Sequence, residues 1–291
     1  MIRNSIQRTA VGRLVWLVPI LCLACTGNPF FRDRISPEGT EIRGRISLDD
    51  GSSPYGAFVW LEGANVGTYA DSSGRYVLTL PPAAETTNLS GVFNVYFFLA
   101  NYRLQRARVV LRNGKFLYNQ ADLSASGDLL PRNMVLRKFL HIRIYVDPES
   151  IIESYDGYIL LAVSLQPASP LDTITVVFPG LGDEEIARIF ARNVETGEIR
   201  LLMTDMFSIQ TPGSIQRIQG KALALGMKFR WSSGFLPRGT YEFMPYMIIQ
   251  HDPVPPGLLR SLKFSHDRLE ETLLRIPLRV KSAKLAVAPP A

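Results

Sequence analysis

The chain has 291 residues, 46% hydrophobic, 20% charged and 10% aromatic, with a formal net charge of +6. At about 150 residues per domain that is room for two domains, each able to bury a core. The composition excludes a disordered chain, a collagen-like repeat and a multi-span membrane protein. Two cysteines and three histidines exclude a disulfide scaffold and a cysteine-rich zinc module, and leave little material for a histidine metal site.

Arg3, Arg8 and Arg13 lead into an apolar run of eleven residues, 14–24, which the polar Thr26-Gly27-Asn28-Pro29 closes. As a helix this run would rise about 16 Å. The hydrocarbon core of a bilayer is roughly 30 Å thick, so the segment reads as a secretory signal peptide and not as a spanning helix. Its end, Cys22-Leu23-Ala24-Cys25, resembles a bacterial lipobox, although leucine is usual where Cys22 stands. The resemblance implies a signal peptide over 1–24 and acyl chains, palmitate among them, on Cys25. Two chains are what stable attachment requires, because a single one binds only marginally. The protein is then expected in the bacterial cell envelope, lipid-anchored at the outer membrane. Residues 1–24 hold three arginines and no acid, so their removal lowers the charge from +6 to +3. Residues 25–39 read as a polar tether.

A β pattern follows. Residues 41–48 (EIRGRISL) place Ile42, Ile46 and Leu48 on one face. Asp49-Asp50-Gly51 is a turn, 57–61 (AFVWL) a second strand and 75–80 (RYVLTL) a third, ended by Pro81-Pro82. Asp71-Ser72-Ser73-Gly74 fits a turn closed by a glycine at positive φ. Residues 92–100 and 103–111 supply two more strands. Gly44, Asp50, Gly51, Pro54, Gly56, Ala57, Val59, Gly67, Thr68, Asp71, Gly74 and Tyr76 together resemble the carboxypeptidase regulatory-like domain. That family is a transthyretin-like β-sandwich grouped with carbohydrate-binding-like folds. The resemblance spans about 40–136, implies the fold, and carries no catalytic residues across.

Residues 118–133 are rich in Ser, Asn and Gly and read as a connection. Strict alternation over 140–146, then 158–165, 174–178, 222–231, 240–250 and 273–280, predicts a second strand-rich domain over 139–281. Residues 183–194 fit either a helix capped by Asp183 or the first arm of a hairpin turning at Glu195-Thr196-Gly197-Glu198, and the hairpin is preferred. Residues 282–291 read as a disordered tail. The expected fold is all-β, with two β-sandwich domains.

Catalytic spacings are lacking: there is no Gly-x-Ser-x-Gly elbow, no His-Glu-x-x-His, no phosphate loop and no dinucleotide fingerprint. His141 falls on the polar side of a strand, while His251-Asp252 and His266-Asp267 fall in loops. Asp49-Asp50 and Asp183-Glu184-Glu185 are better explained as turn and cap chemistry. No catalytic residue, metal site or cofactor is expected.

Two surface features stand out. Between Tyr102 and Arg143 nine bases meet two acids, Asp122 and Asp128, so Arg103, Arg106, Arg108, Arg112, Arg137 and Lys138 form a candidate basic patch. If Ala57, Val59 and Leu61 point inward with Phe93, Val95, Phe97 and Leu99, then Phe58, Trp60, Tyr96 and Phe98 share the other face. That face could stack on sugars or anchor a partner, or be buried against the second domain. The expected function is a non-catalytic envelope lipoprotein binding a protein or glycan partner, with the membrane held through its lipid. Alternatives are a carbohydrate-binding accessory lipoprotein and a hydrolase with a site in the C-terminal half. Nucleic acid is not an expected partner of an exported chain.

Overall fold

The computed structural model describes residues 37–130, 134–178, 186–206, 215–232, 235–250, 254–262 and 281–289. The signal peptide, Cys25 and the tether up to residue 36 lie outside them, as do 179–185, His251, Asp252, His266, Asp267 and the expected strand over 273–280.

The first half is built from β1 (Glu38–Gly39), β2 (Glu41–Arg45), β3 (Ser47–Leu48), β4 (Phe58–Leu61), β5 (Val66–Tyr69), β6 (Arg75–Thr79), β7 (Gly91–Phe98), β8 (Gln105–Arg112) and β9 (Lys115–Leu117). A four-residue helix, α1 (Ala83–Thr86), bridges β6 and β7. Six strands form one sheet in the order β1-β9-β8-β7-β4-β5, and β2 pairs with β6. The expected 41–48 strand breaks at Ile46, whose amide donates to the Gly74 carbonyl (2.8 Å). Beyond it β3 leaves β6 and pairs in parallel with β10 (Val135–Leu136). Ile42, Ile46 and Leu48 are buried, as their alternation predicts. The two sheets meet where the Tyr76 ring of β6 packs edge-on against Phe97 of β7 (5.8 Å). Every residue of β4 is buried, so this strand has a covered face on each side.

Residues 118–130 are not a connection. Leu123 and Leu129 enter the first core, and Arg43 exchanges backbone hydrogen bonds with Gly127 and Leu129. The passage between the halves is only 137–139. It is fastened by Asn101, a fully buried residue at φ +69°. The Asn101 side chain donates to the Leu140 carbonyl (2.8 Å) and accepts from the Leu140 amide (2.9 Å), as a neighbouring strand's peptide group would.

The second half comprises β11 (Leu140–Asp147), β12 (Ser150–Ile152), β13 (Gly157–Pro167), β14 (Thr173–Val177), β15 (Ile186–Asn193), β16 (Ile199–Met206), β17 (Ile215–Gln219), β18 (Leu223–Trp231), β19 (Gly239–Pro245), β20 (Ile248–Ile249), β21 (Lys281–Ser282) and β22 (Lys284–Ala288). Nine of these form one sheet, β12-β22-β19-β15-β16-β18-β13-β11-β21. Its two ends belong to the same pair of segments. Residues 281–288 pair with β19 on one side, and on the other with β11 (Arg143 against Lys281) and β12 (Ile151 against Val287). The sheet therefore closes on itself. A three-stranded sheet, β17-β14-β20, adds Ile174, Val176, Ile218 and Ile249 to the core inside. The described residues are thus almost wholly β, as expected.

The preferred hairpin is present: β15 pairs antiparallel with β16, and Asn193 Oδ1 accepts from the amides of Glu195 and Thr196 in the turn. The expectation of a disordered tail is corrected, because Lys284–Ala288 is a paired strand with Leu285 and Val287 buried. A helix also appears where prolines suggested only a loop. α2 (Pro256–Ser261) begins on Pro256, where a missing amide hydrogen costs nothing and the ring presets φ.

Candidate functional site

Strands β4 and β7 are antiparallel neighbours, with Trp60 opposite Tyr96 and Phe58 opposite Phe98. The four aromatics thus share one face, and the Trp60 and Tyr96 rings stand 5.9 Å apart. They do not form an open platform. All four are buried, with Trp60 only 3% exposed. Phe58 packs on Tyr69 of its own sheet (5.0 Å), while over Trp60 the cover comes from the second half: Leu258 and Leu262 at α2 belong to the first half's core, with Val254 packed against it. The helix lies so close that a Cβ on Gly257 would come within 2.8 Å of Trp60 Cζ2. Burying two leucines contributes about 3–6 kcal/mol as an upper figure. The Trp60 indole N–H donates to Asn65 Oδ1 (3.3 Å), and burial, then the Glu62 charge, raises the Tyr96 pKa. This face is a seam between the halves.

The six cations of the expected basic patch are dispersed. Arg103 pairs with Asp172 of the second half (2.7 Å) and lies over the Phe139 ring. Arg112 pairs with Glu38, whose carboxyl this guanidinium holds below its ordinary pKa. Lys138 is drawn inward to Asp50 (2.8 Å). Arg137 is exposed, and its carbonyl accepts from the Arg103 amide (2.7 Å). Arg106 and Arg108 remain exposed on the outer face of β8, and neither has an ion pair among the described residues.

Lys138 belongs to a cluster that sequence spacing could not show. Asp50 Oδ2 accepts from Lys138 Nζ and from the Tyr102 hydroxyl (3.0 Å), while Oδ1 accepts from the Ser52 hydroxyl (2.7 Å) and amide (3.0 Å). Burial alone would raise the pKa of Asp50. The hydrogen bonds from Lys138 and Ser52, helped by the lysine charge, outweigh it and hold the carboxyl well below the usual carboxylate range. Asp49 Oδ1 accepts from the Lys138 amide (3.0 Å), so the Asp-Asp turn grips the passage between the halves. Its ligands are internal, and it acts as a clasp.

His141 is exposed on β11. Among the described residues no three His, Cys, Asp or Glu side chains gather as a metal site, and no helix is long and apolar enough to cross a membrane. One surface escaped the sequence reading. Tyr145, Tyr158 and Leu160, on the outer side of β11 and β13, are 54%, 52% and 40% exposed. Alternation directs attention to the buried set and leaves such residues unremarked.

No protein-family model matches the chain, and a search of curated proteins finds no match.

Proposed function

We propose that the protein is a non-catalytic, lipid-anchored module of the bacterial cell envelope, carried by acylated Cys25, that binds or scaffolds a protein or glycan partner. The lipobox-like Leu23-Ala24-Cys25 and its arginine-flanked apolar run support the anchor. The observation that carries the binding role is how the side chains are divided. Trp60 and two of the six patch cations, Lys138 and Arg103, are committed to holding the two halves together, through α2, the Asp50 clasp and the Arg103–Asp172 pair. Among the residues left outward on the β surface are Arg106 and Arg108 of the first half and Tyr145 and Tyr158 of the second. The resemblance of 40–136 to a carboxypeptidase regulatory-like sandwich agrees with a module whose work is contact.

Cys25→Ser in the full chain tests the anchor. The native protein is expected in the membrane fraction with incorporated palmitate, and the variant in the soluble fraction without it. Retention of the variant in the membrane pellet after a high-salt wash overturns the reading.

A further inference from the structure

We propose that the outer face of β11, β13 and β18 is a binding site for a neutral glycan, a proposal that rests on the binding-module reading and gives it a ligand class. The face follows from register. Tyr145 stands across from Ala162, Asp147 across from Leu160, and Tyr158 across from Arg230. Tyr145, Leu160 and Tyr158 therefore form an oblique row. At about 3.3 Å per residue along a strand and about 4.8 Å between strands, the two tyrosines are roughly 14 Å apart. That separation suits an extended oligosaccharide better than a single ring.

Beside the row the side chains are small. Ala162 and Ser164 on β13 neighbour Ala224 on β18, with Ser164 directly opposite Ala224. Ala162 and Ala224 are exposed and Ser164 half-buried, so the floor beside Tyr145 is low and flat. A pyranose presents a flat C–H face to an aromatic ring and a rim of hydroxyls to polar groups. Aromatic side chains next to low relief suit the first of these.

The polar groups around the floor suit the second. Arg143 stands across from Ser164 beside the floor, with Lys281 opposite it on β21. Lys228 lies over the Tyr158 ring (5.6 Å), and Arg230 is paired with Asp156 (3.2 Å). Asp147 stands across from Leu160, and Gln166 and His141 face each other beyond Arg143. The carboxylates of Asp147 and Asp156 stand among the four cations Arg143, Lys228, Arg230 and Lys281, offering acceptors beside donors. Hydroxyls need both, whereas a polyanion would need one sign. Carboxylates beside the tyrosines also oppose insertion into a bilayer.

The test is native affinity electrophoresis of the full chain in detergent micelles. The gels contain soluble β-glucan, galactomannan, arabinoxylan or glycol chitin as neutral polymers, and alginate as a polyanion. At least one neutral polymer is expected to retard the protein. Tyr145→Ala and Tyr158→Ala, at exposed positions that leave the core intact, are each expected to weaken that retardation about tenfold. Val92→Ser on the other half, at a position 65% exposed, is expected to leave it unchanged. Retardation by none of the neutral polymers, retardation by alginate alone, or full retention of affinity in both tyrosine variants overturns the proposal. A protein cross-linked at Tyr145 and not displaced by any neutral polymer also overturns it, but leaves the binding-module reading standing. Membrane retention of the Cys25→Ser protein overturns the anchor and leaves the glycan result untouched.

Discussion

Gly257 in α2 and Trp60 in β4 offer a test of how the halves are joined, because removing the Trp60 ring should turn the effect of Gly257→Ala into a stabilising one. Trp60 is almost fully buried, and truncating such a ring costs about 3–5 kcal/mol. Gly257→Ala alone adds a methyl 2.8 Å from Trp60 Cζ2 and 2.9 Å from Cη2. Overpacking of this kind costs about 1–3 kcal/mol, against about 1 kcal/mol gained by replacing glycine with alanine in a helix. The single variant should therefore be neutral or destabilised. In a Trp60→Ala background the indole is gone, the methyl meets space, and the helix gain of about 1 kcal/mol should appear as stabilisation. The predicted coupling is about 1–3 kcal/mol. Urea unfolding of the four proteins, followed by far-ultraviolet circular dichroism so that the readout does not depend on Trp60, gives the cycle. If Gly257→Ala has the same effect in both backgrounds, α2 is not seated on that ring and the seam is misassigned.

Two further outcomes follow from the first half. Gly74 sits at φ +82°, and a Cβ there would lie 2.1 Å from the Ile46 carbonyl oxygen, so Gly74→Val should cost at least about 1–3 kcal/mol, read as a lowered urea midpoint. Because the folded-state pKa of Asp50 is depressed, its contribution to stability is full above the ordinary aspartate pKa of about 4 and is lost as pH falls below it toward the folded value. Asp50→Asn should therefore be less stable than the native protein at neutral pH and show a flatter loss of stability below about pH 4; equal slopes in the two proteins would show that the clasp is not formed.

Strand positions were legible because alternation is local. Leu140, Ile142, Ile144 and Val146 needed only their neighbours to announce a half-buried strand, and the same holds for Phe58 and Trp60 sharing a face. What covers a face is not local. Nothing near Trp60 in the sequence points to Leu258, about two hundred positions away, and the prolines before α2 look like a loop until one is seen to be a helix start. Lys138 and Asp50 read as a patch cation and a turn acid for the same reason. Residues 284–288 were missed because two buried side chains, Leu285 and Val287, are too short a pattern to stand out beside Pro289-Pro290. Their register partners, Tyr241 and Gly239, are what make them a strand.

The closed sheet of the second half has a consequence for how the chain can fail. Its closing strand, 281–288, comes after every other described strand, and it fills the gap between β19 and the β11–β12 segment. Until it docks, both neighbours present rows of unsatisfied amide and carbonyl groups, each a template for strand addition by another chain. A ring lacking one member therefore has two sticky margins, and molecules caught in that state can complete one another. Partial loosening of 281–288 should thus lead to association between chains before general unfolding, with the loss of a single strand felt as a loss of solubility.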